Sequence, residues 1–367
     1  MKILQIVKLY HPWIGGVEKI AQQISEGLQK RENIDIEVLC CSPRRERLIK
    51  EVNGIKVYRA SSFGIVWGMP LSLDFFRLFK KIVKQFDIID FHHPFPLGDL
   101  AILLFPFKAK LIVHYHSDIV RQKFFEFLFR PLILHTLKKA KKILVSSPNL
   151  IRTSPYLRKF QQKCEVVPFG IEIERFQRRD IQQTEGIREK YGEFILFVGR
   201  LNYYKGVQYL IQAIKDIETN LVIIGKGKEE QNLKNLVEKL GIQNKVFFLP
   251  HLEETQLINF YQVAKIFVLP SIFRSEAFGI VLIEAMACET PIISTELGTG
   301  TSWVNVDGKT GFVVSPRDSS VLTQAIKNIL ENKNLAQEFG QAGLERVKKE
   351  FLAQKMLDRI WSIYSSV

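Results

Sequence analysis

The sequence predicts an α/β fold of two doubly wound domains, each built on a parallel sheet. Short apolar runs alternate with amphipathic helical segments along almost the whole chain, a pattern typical of βα units with helices on both faces of a sheet. A polar, charged stretch at residues 172–190 interrupts the series once and is predicted to be an interdomain linker. A length of 367 residues also suits two domains.

The first half of the chain contains seven predicted strands and four predicted helices. Each strand is a short apolar run, and each helix repeats its apolar residues at about every 3.6 positions. The strands cover residues 2–8, 34–40, 55–59, 88–91, 111–115, 143–146 and 164–170, and the helices cover residues 17–30, 73–85, 120–139 and 148–159.

The second half contains six predicted strands and five predicted helices, followed by a helical region at 335–362. The strands cover residues 194–198, 221–224, 246–249, 266–269, 292–294 and 312–314, and the helices cover residues 207–216, 229–240, 255–261, 280–287 and 319–330. Ligands bind at the carboxyl ends of the strands in open parallel sheets. We therefore expect the functional residues in the loops after the strands, around a cleft between two facing domains.

The composition excludes several classes of protein. Hydrophobic residues make up 46% and charged residues 25% of the chain, which excludes wholesale disorder. No apolar run approaches the roughly 18 residues of a membrane span, and no signal peptide is predicted. The cysteines match no zinc-site spacing and are expected to be reduced thiols of a cytoplasmic protein. They are Cys40, Cys41, Cys164 and Cys288.

The excess positive charge lies in the first half. Residues 1–180 contain 31 basic and 17 acidic residues, whereas residues 181–367 contain 21 of each. This asymmetry indicates an anionic partner: a membrane surface, a phosphorylated substrate or a nucleic acid. Residues 74–84 and 121–130 mix aromatic and basic side chains, as membrane-surface helices do. Helical spacing in the first of these stretches favours a core face instead.

A loop with two cations follows the predicted strand at 194–198. Gly199, Arg200, Lys205 and Gly206 belong to the octapeptide GRLNYYKG, and a helix begins directly after it. Arg offers a planar fork to phosphate oxygens, and a helix N-terminus adds N–H donors. The loop predicts a diphosphate site. Two solvated surface charges are the alternative.

Two carboxylates follow the predicted strand at 266–269. Glu276 lies in the loop, whereas Glu284 lies within an otherwise apolar helix, where an ionised side chain is costly unless it is paired. Gly279 allows a ligand to approach the backbone at the start of that helix. Carboxylates accept hydrogen bonds from sugar hydroxyls, so this segment predicts a sugar or ribose site. For Glu284 the alternative is a structural acceptor.

Together the two segments resemble the family-four retaining glycosyltransferases, which have the GT-B architecture of two Rossmann-like domains. The motifs are GRL-x3-KG and SEAFGIVLIEAMA, and the resemblance covers essentially the whole chain. It implies that Arg200 and Lys205 bind the donor diphosphate, that Glu276 contacts the transferred sugar, and that Glu284 binds the ribose. The backbone of Phe278, Gly279 and Ile280 would meet the sugar and phosphate.

The same resemblance implies a domain organisation. Residues 1–175 would form an acceptor-side domain, 176–192 a linker and 193–345 the nucleotide-sugar domain. Residues 346–367 would form a helix that packs back on the first domain.

Further positions match the family's glycine loop and nucleotide pocket. Gly15 and Gly16 resemble the loop that lets the first domain approach the donor phosphate. Gly199 and Gly225 resemble the nucleotide pocket, together with Pro250 and His251, although glycine is common where Pro250 stands.

A histidine at the end of the strand at 111–115 completes the set. His114 and His116 lie on the same face of the strand, so periodicity does not choose between them. The family pattern favours His116, which the resemblance implies is catalytic together with Glu276. His92 and His93 also end a strand, and we interpret them as structural.

Two phrases, HSDIVRQK at 116–123 and ELGTGTSWVN at 296–305, resemble bacterial mannosyltransferases of O-antigen assembly. They imply GDP-mannose as donor and a saccharide or polyprenyl-diphosphate-linked acceptor in lipopolysaccharide synthesis. The chain has no Asp-x-Asp triplet, so we expect no metal and no cofactor beyond the donor.

We therefore predict a retaining hexosyltransferase, cytoplasmic or peripheral at the inner face of the cell membrane, with no nucleic-acid partner. The alternatives are another GT-B enzyme, such as a sugar-nucleotide epimerase, and a non-enzymatic basic module that binds membrane or nucleic acid.

Overall fold

A computed structural model describes residues 1–13, 15–66, 69–118 and 123–367. The chain forms two compact units. Unit 1 comprises Met1–Pro168 together with Lys355–Val367, and unit 2 comprises Phe169–Gln354. Among the described residues, no helix combines the length and the apolar character that a membrane span requires.

Unit 1 is built on an eight-stranded sheet in the order β10-β9-β8-β7-β1-β2-β4-β3. All neighbours pair in parallel except β3, which pairs antiparallel with β4 at the edge. The strands are β1 (Lys2–Ile6), β2 (Asp35–Cys41), β3 (Leu48–Val52), β4 (Ile55–Ala60), β7 (Ile88–His93), β8 (Lys110–Tyr115), β9 (Lys142–Val145) and β10 (Cys164–Val166), and a small hairpin adds β5 (Ile65–Val66) and β6 (Met69–Pro70).

The helices within Met1–Pro168 are α1 (Gly16–Gln29), α2 (Asp74–Ile82), α3 (Pro96–Leu104), α4 (Lys123–Lys139) and α5 (Pro148–Thr153). In α2, Phe75 and Phe79 are fully buried while Lys80 and Lys81 are exposed, so the aromatic residues of this stretch belong to the core. Residues 121–122 of the second aromatic stretch, and the predicted helix start at 120, lie outside the described residues.

Unit 2 has a six-stranded parallel sheet in the order β13-β12-β11-β14-β15-β16. The strands are β11 (Phe194–Val198), β12 (Asn220–Ile224), β13 (Val246–Leu249), β14 (Ile266–Leu269), β15 (Ile292–Thr295) and β16 (Gly311–Val314). The helices are α6 (Ile173–Gln177), α7 (Ile181–Tyr191), α8 (Val207–Ile214), α9 (Glu230–Leu240), α10 (Glu254–Val263), α11 (Ile280–Ala287), α12 (Thr301–Val304), α13 (Ser319–Glu331) and α14 (Lys333–Glu350), and α15 (Ala353–Ser366) follows.

The segment that we predicted as a linker is largely helical and lies within unit 2. Helices α6 and α7 cover most of it, and the Asp180 side chain accepts a hydrogen bond from the backbone N–H of Gln183 at the start of α7. Phe176 and Tyr191 are buried in the core of unit 2. A few widely spaced apolar residues are enough to fix a helix whose other faces are charged, and this is why composition alone suggested a linker.

Two further differences concern helices. The apolar segment that forms α3 was not predicted as a helix, although Pro96 stands at a helix N-terminus, where proline is favoured. The helical region predicted at 335–362 is two helices. It is interrupted where the backbone of Phe351 and Ala353 pairs with that of Ile171.

Helix α15 packs within unit 1 through Ile360 and Tyr364, which are buried. Gly27 of α1 leaves room for it, because a Cβ at this position would lie 2.4 Å from Leu357 Cδ1.

Each unit uses a lysine to satisfy the carbonyl groups at the C-terminus of a helix. Lys163 Nζ donates to three carbonyls at the end of α4, and Lys245 Nζ donates to three at the end of α8. Both positive charges also complement the negative end of the helix dipole. The acceptors are Leu137, Lys138 and Ala140 for Lys163, and Ile214, Lys215 and Ile217 for Lys245.

Candidate functional site

The strand order of unit 2 reverses between β11 and β14. Strands β12 and β13 extend from one side of this pair, and β15 and β16 from the other. The loops after β11 and β14 therefore leave neighbouring strands, and their helices cover opposite faces of the sheet. Such a switch point forms the crevice in which α/β proteins bind ligands.

A buried ion pair joins the two loops at this switch point. Lys205 Nζ lies 2.5 Å from Glu276 Oε2, which also accepts a hydrogen bond of 2.9 Å from Ser271 Oγ. Burial alone would lower the pKa of Lys205, but the Glu276 carboxylate outweighs it and the pKa is raised. Lys205 is therefore a cation held in a mostly desolvated position, where its charge acts strongly on a bound anion.

Glycines allow the backbones of these loops to approach each other. Gly206 has φ +65°, and a Cβ there would lie 2.1 Å from the carbonyl oxygen of Pro270. Gly225 has φ +140°, and a Cβ there would lie 2.1 Å from the carbonyl oxygen of Gly199. Neither position accepts a side chain, so the loops after β11, β12 and β14 depend on these two glycines.

The remaining residues of the predicted diphosphate and nucleotide sites lie on the same edge of the sheet. Arg200 is exposed and directly follows Gly199, and α8 begins just after Lys205 and Gly206. Pro250 and His251 are exposed in the loop after β13. That loop lies beside Gly225, whose N–H donates to the carbonyl of Leu249 at 3.0 Å.

The backbone segment Phe278–Ile280 turns into α11 at this edge. Gly279 is the N-cap in the left-handed region with φ +80°, and no side chain caps the helix. Phe278 is 2% exposed and contacts Trp303 and Phe351. Its side chain therefore belongs to the core, and only its backbone remains as a candidate contact for the donor.

Glu284 lies one turn into α11 and is buried. The Tyr261 hydroxyl donates to Glu284 Oε2 at 3.0 Å. Burial raises the pKa of Tyr261, and the Glu284 carboxylate raises it further, so Tyr261 remains a hydrogen-bond donor at neutral pH. This partner could not be predicted from the sequence, because Tyr261 belongs to α10 and only the packing of α10 against α11 brings it to Glu284.

Unit 1 has its own switch point, between β1 and β7. The loop after β1 leads to Gly15, the N-cap of α1, and to Gly16, the first residue of that helix. A Cβ at Gly16 would meet no atom within 4 Å. Packing within the described residues therefore does not require glycine at this position, which leaves room for a ligand.

His116 is the first residue after β8 and is 5% exposed. Its backbone N–H donates to the carbonyl of His93, and its Nε2 lies 2.9 Å from Nδ1 of His92. His114 lies within β8 and stacks on His92 with ring centroids 4.7 Å apart. Of the two candidate histidines, His116 is the one at the strand end, whereas His114 faces Asp90.

The cluster around Asp90 was not recognised from the sequence. One nitrogen or carboxylate oxygen from each of Asp90, His92 and His114 lies within 4.8 Å of the other two, and all three side chains are buried. The signal in the sequence was the spacing. Asp90 and His92 lie two residues apart on β7, as His114 and His116 do at the end of β8, so each pair lies on one face of its strand. The register that pairs His92 with His114 is a property of the sheet.

Comparison with known proteins identifies the family. The model for Glycosyltransferase Family 4 matches residues 14–175, and the model for Glycosyl transferases group 1 matches residues 177–346. O-antigen chain mannosyltransferase C from Escherichia coli is 36% identical over 100% of this chain and 99% of its own length. This chain belongs to the group 1 glycosyltransferases. D-rhamnosyltransferase WbpZ from Pseudomonas aeruginosa is 34% identical, over 96% of this chain and 93% of its own length.

Solved structures share the fold of this glycosyltransferase. Sucrose-phosphate synthase from Thermosynechococcus elongatus superposes with a TM-score of 0.83 at 21% identity, covering 100% of this chain and 98% of that one. HepE from Anabaena, in complex with UDP and glucose, has a TM-score of 0.82 at 18% identity, with all of both chains covered. The predicted GT-B fold of two Rossmann-like domains is confirmed, and so is the prediction of a hexosyltransferase of polysaccharide synthesis.

Proposed function

We propose that this glycosyltransferase transfers mannose from GDP-mannose, with retention of configuration, to a saccharide carried on a polyprenyl diphosphate. The observation that carries the proposal is the buried Lys205–Glu276 pair at the switch point of unit 2. It places a desolvated cation beside a carboxylate, which suits a ligand with a diphosphate next to a hydroxylated sugar. The mannose preference rests on the 36% identity with an O-antigen mannosyltransferase over the whole chain.

Each proposed role follows from the chemistry of the side chain. Arg200 and Lys205 neutralise the diphosphate, whose negative charge grows as the bond to the sugar breaks. Glu276 accepts hydrogen bonds from sugar hydroxyls, and Glu284, oriented by Tyr261, accepts them from the ribose. The N–H groups at the start of α11 add donors for the sugar and phosphate.

The transfer step balances without a further reactant. The acceptor hydroxyl attacks the anomeric carbon as the bond between that carbon and the diphosphate oxygen breaks. The hydroxyl proton passes to the departing phosphate oxygen. The two cations stabilise that leaving group, and this is the role that a divalent metal takes in other phosphate-releasing enzymes. We propose that His116 serves this step, together with Glu276.

GDP-D-rhamnose is the second candidate donor and should be compared directly with GDP-mannose. The 34% identity with a D-rhamnosyltransferase favours D-rhamnose, which is mannose without its 6-hydroxyl. A site that hydrogen-bonds the 6-hydroxyl rejects the deoxy sugar strongly, whereas an apolar site discriminates only weakly. The ratio of kcat/KM for the two donors therefore reports whether that hydroxyl is bound.

We further propose that unit 1 meets the acceptor at the cytoplasmic face of an anionic membrane. Lys80, Lys81 and Lys84 are exposed along and just after α2. Near the start of that helix, Leu73 is 62% exposed and Phe63 is 63% exposed. Apolar side chains beside cations are typical of proteins that bind anionic lipid surfaces.

The proposed function is tested by incubating the purified chain with GDP-mannose, GDP-D-rhamnose, UDP-glucose and UDP-galactose, each with a polyprenyl-diphosphate-linked oligosaccharide. Mass spectrometry should detect one added hexose with GDP-mannose and free GDP in equal amount. Conversion of the donor without any acceptor would indicate an epimerase instead. An absence of turnover with every donor, combined with vesicle or nucleic-acid binding, would favour a non-enzymatic module.

A further inference from the structure

Four buried polar side chains form one connected cluster at the carboxyl ends of β7 and β8. Asp90 and His92 lie two residues apart on β7, and His114 and His116 lie two apart at the end of β8, so all four share one face of the sheet. His92 pairs in register with His114, and their rings stack within 2° of parallel. The ring of His116 also stacks on that of His92, with centroids 5.0 Å apart. All four are at most 5% exposed.

The Asp90 carboxylate lies at the centre of this cluster. His114 Nε2 is 3.0 Å from its Oδ1, His92 Nε2 is 3.4 Å from its Oδ2, and Gln5 Nε2 donates to Oδ2 at 3.3 Å. Burial alone would raise the pKa of Asp90, but its attraction to His114 and His92 outweighs burial and lowers the pKa. Asp90 is therefore ionised at neutral pH.

An ionised carboxylate determines where the proton of His92 lies. A carboxylate only accepts hydrogen bonds, and a nitrogen lone pair that faced it would be repelled. Nε2 of His92 is buried and forms no hydrogen bond with this carboxylate, so the preference is electrostatic. Burial lowers the pKa of His92, which leaves a neutral ring with one proton, on Nε2. Nδ1 of His92 is then an acceptor.

The orientation of His92 determines the tautomer of His116. His116 Nε2 lies 2.9 Å from Nδ1 of His92, and because that nitrogen accepts, His116 Nε2 must donate. Burial lowers the pKa of His116 well below its ordinary value, and the neighbouring His92 contributes in the same direction. A neutral His116 with its proton on Nε2 carries its lone pair on Nδ1.

We propose that Asp90, acting through His92, fixes His116 in the neutral Nε2–H tautomer. Asp90 and His92 are then positioning residues. Their effect on the reaction rests on the proposed function, in which His116 serves sugar transfer. The same logic operates wherever a buried carboxylate fixes the tautomer of a reactive imidazole.

A metal ion is the competing explanation for this cluster, since carboxylate and imidazole are common ligands. The observed ring geometry does not suit one. An imidazole binds a metal ion in the plane of its ring, about 2.0–2.1 Å from the nitrogen. The rings of His92 and His114 are stacked in planes within 2° of parallel, so one ion cannot lie in both planes. In the proposed arrangement Nε2 of His92 carries a proton, and a protonated nitrogen does not ligate a metal.

The first test measures the tautomer in the wild-type chain without substrate. Long-range proton–nitrogen correlation spectra of histidine-labelled protein distinguish protonated from bare ring nitrogens, and His116→Gln assigns the signal. We expect His116 to show a protonated Nε2 and a bare Nδ1 at pH 7.5. A protonated Nδ1, or one equivalent of divalent metal per chain by elemental analysis, would overturn the proposal.

The second test uses Asp90→Asn, which keeps the shape and removes the charge. We expect His116 to shift toward the Nδ1–H tautomer. We also expect kcat for mannose transfer from GDP-mannose to fall about 10- to 100-fold, the range found when a group that orients a functional histidine is removed. KM for GDP-mannose should change by less than about 2-fold, because ground-state binding is untouched. His92→Gln should lower kcat similarly.

Tyr364→Phe is the matched control. The Tyr364 hydroxyl is buried, and the Asp90 carboxylate contributes with burial to a raised pKa of Tyr364. This variant alters the same pocket but keeps the charge, so the tautomer and kcat should stay near wild type. An Asp90→Asn chain with unchanged tautomer and kcat overturns the proposal. A wild-type chain that transfers no sugar refutes the proposed function instead, while the wild-type tautomer still decides this inference.

Discussion

The two switch points of this enzyme place their polar groups at different depths. In unit 2, Lys205 and Glu276 belong to loops beyond β11 and β14, and their charges balance in a single pair. In unit 1, Asp90, His92 and His114 belong to the strands themselves and form a network around one carboxylate. The positions of side chains in loops depend on loop conformation, whereas the positions of side chains in strands are fixed by the register of the sheet. The first arrangement suits binding of a charged donor, and the second suits fixing the orientation of a neutral ring.

Removing Lys205 should have the largest effect. Lys205→Met leaves Glu276 buried without its cation, which should cost about 4 kcal/mol of stability. It also removes the desolvated charge from the proposed diphosphate site. We expect transfer to fall more than about 100-fold and the melting temperature to drop. Kinetic assays and calorimetry would measure both.

The control for Lys205 is Lys239→Met, which removes an exposed cation from α9 and should change neither quantity much. Adding Glu276→Gln to Lys205→Met should restore much of the stability but not the activity. A Lys205→Met chain with normal stability and normal kcat would show that the switch point of unit 2 is not the donor site.

Charge reversal on α2 should have the next largest effect. Each lysine near an anionic membrane contributes about 1 kcal/mol. Replacing Lys80, Lys81 and Lys84 by glutamate should therefore weaken sedimentation with phosphatidylserine vesicles by at least about 100-fold. Transfer to a short water-soluble acceptor should persist.

The matched variant reverses three exposed lysines of unit 2, namely Lys226, Lys228 and Lys239. The change in net charge is the same, but vesicle binding should stay close to wild type, because the excess charge lies in the first half of the chain. Equal losses in both variants, or equal binding to neutral vesicles, would contradict a membrane-facing surface on unit 1.

Arg200 should matter for activity but not for stability. Its side chain is exposed, and substitutions of exposed side chains usually change stability little. A hydrogen bond to a charged group contributes roughly 1.5–3 kcal/mol, and we expect kcat/KM to fall about 10- to 150-fold at an unchanged melting temperature. Arg200→Lys should recover part of the loss. If Arg200→Ala retained full kcat/KM for the donor, the diphosphate role would have to be assigned elsewhere.

The smallest effect is expected for Lys163 and Lys245, which donate hydrogen bonds to carbonyl groups at helix C-termini. Lys163→Met and Lys245→Met each remove a cation from three helix carbonyls, which should cost about 1 kcal/mol apiece. Scanning calorimetry should show similar decreases in melting temperature, with unaltered transfer. If only one variant were destabilised, the two caps would not be equivalent.

Sequence reasoning succeeded where the signal was local. The alternation of strands and helices was enough to predict the fold. The GRLNYYKG loop and the Glu276-x7-Glu284 spacing each lie within one short segment, and they carried the family resemblance that implied the enzyme class. Gly206 belongs to the same motif, and its positive φ and its contact with Pro270 give a physical reason for that glycine.

It failed where the outcome depended on pairing across the chain. The Lys205–Glu276 contact joins residues 71 positions apart, and the sequence placed both at strand ends without predicting that they form a pair. The contacts of His92 with Asp90 and His116 were not predicted, because they depend on the register of β7 with β8. The linker was misjudged because Phe176 and Tyr191 have partners only in the folded unit.

Helix α15 has a consequence for how the chain is made. Unit 2 is continuous in sequence, whereas unit 1 is completed by residues that synthesis reaches only after the whole of unit 2. Until Leu357 fits over Gly27 and Tyr364 comes near Asp90, the nascent first unit exposes apolar surface and lacks one side of its carboxylate pocket. Unit 2 can therefore fold during synthesis, whereas unit 1 cannot be completed until residues 355–367 have been made. A gene fragment encoding residues 1–168 alone should yield an aggregation-prone product, and joining residues 355–367 to it through a short linker should restore a folded domain.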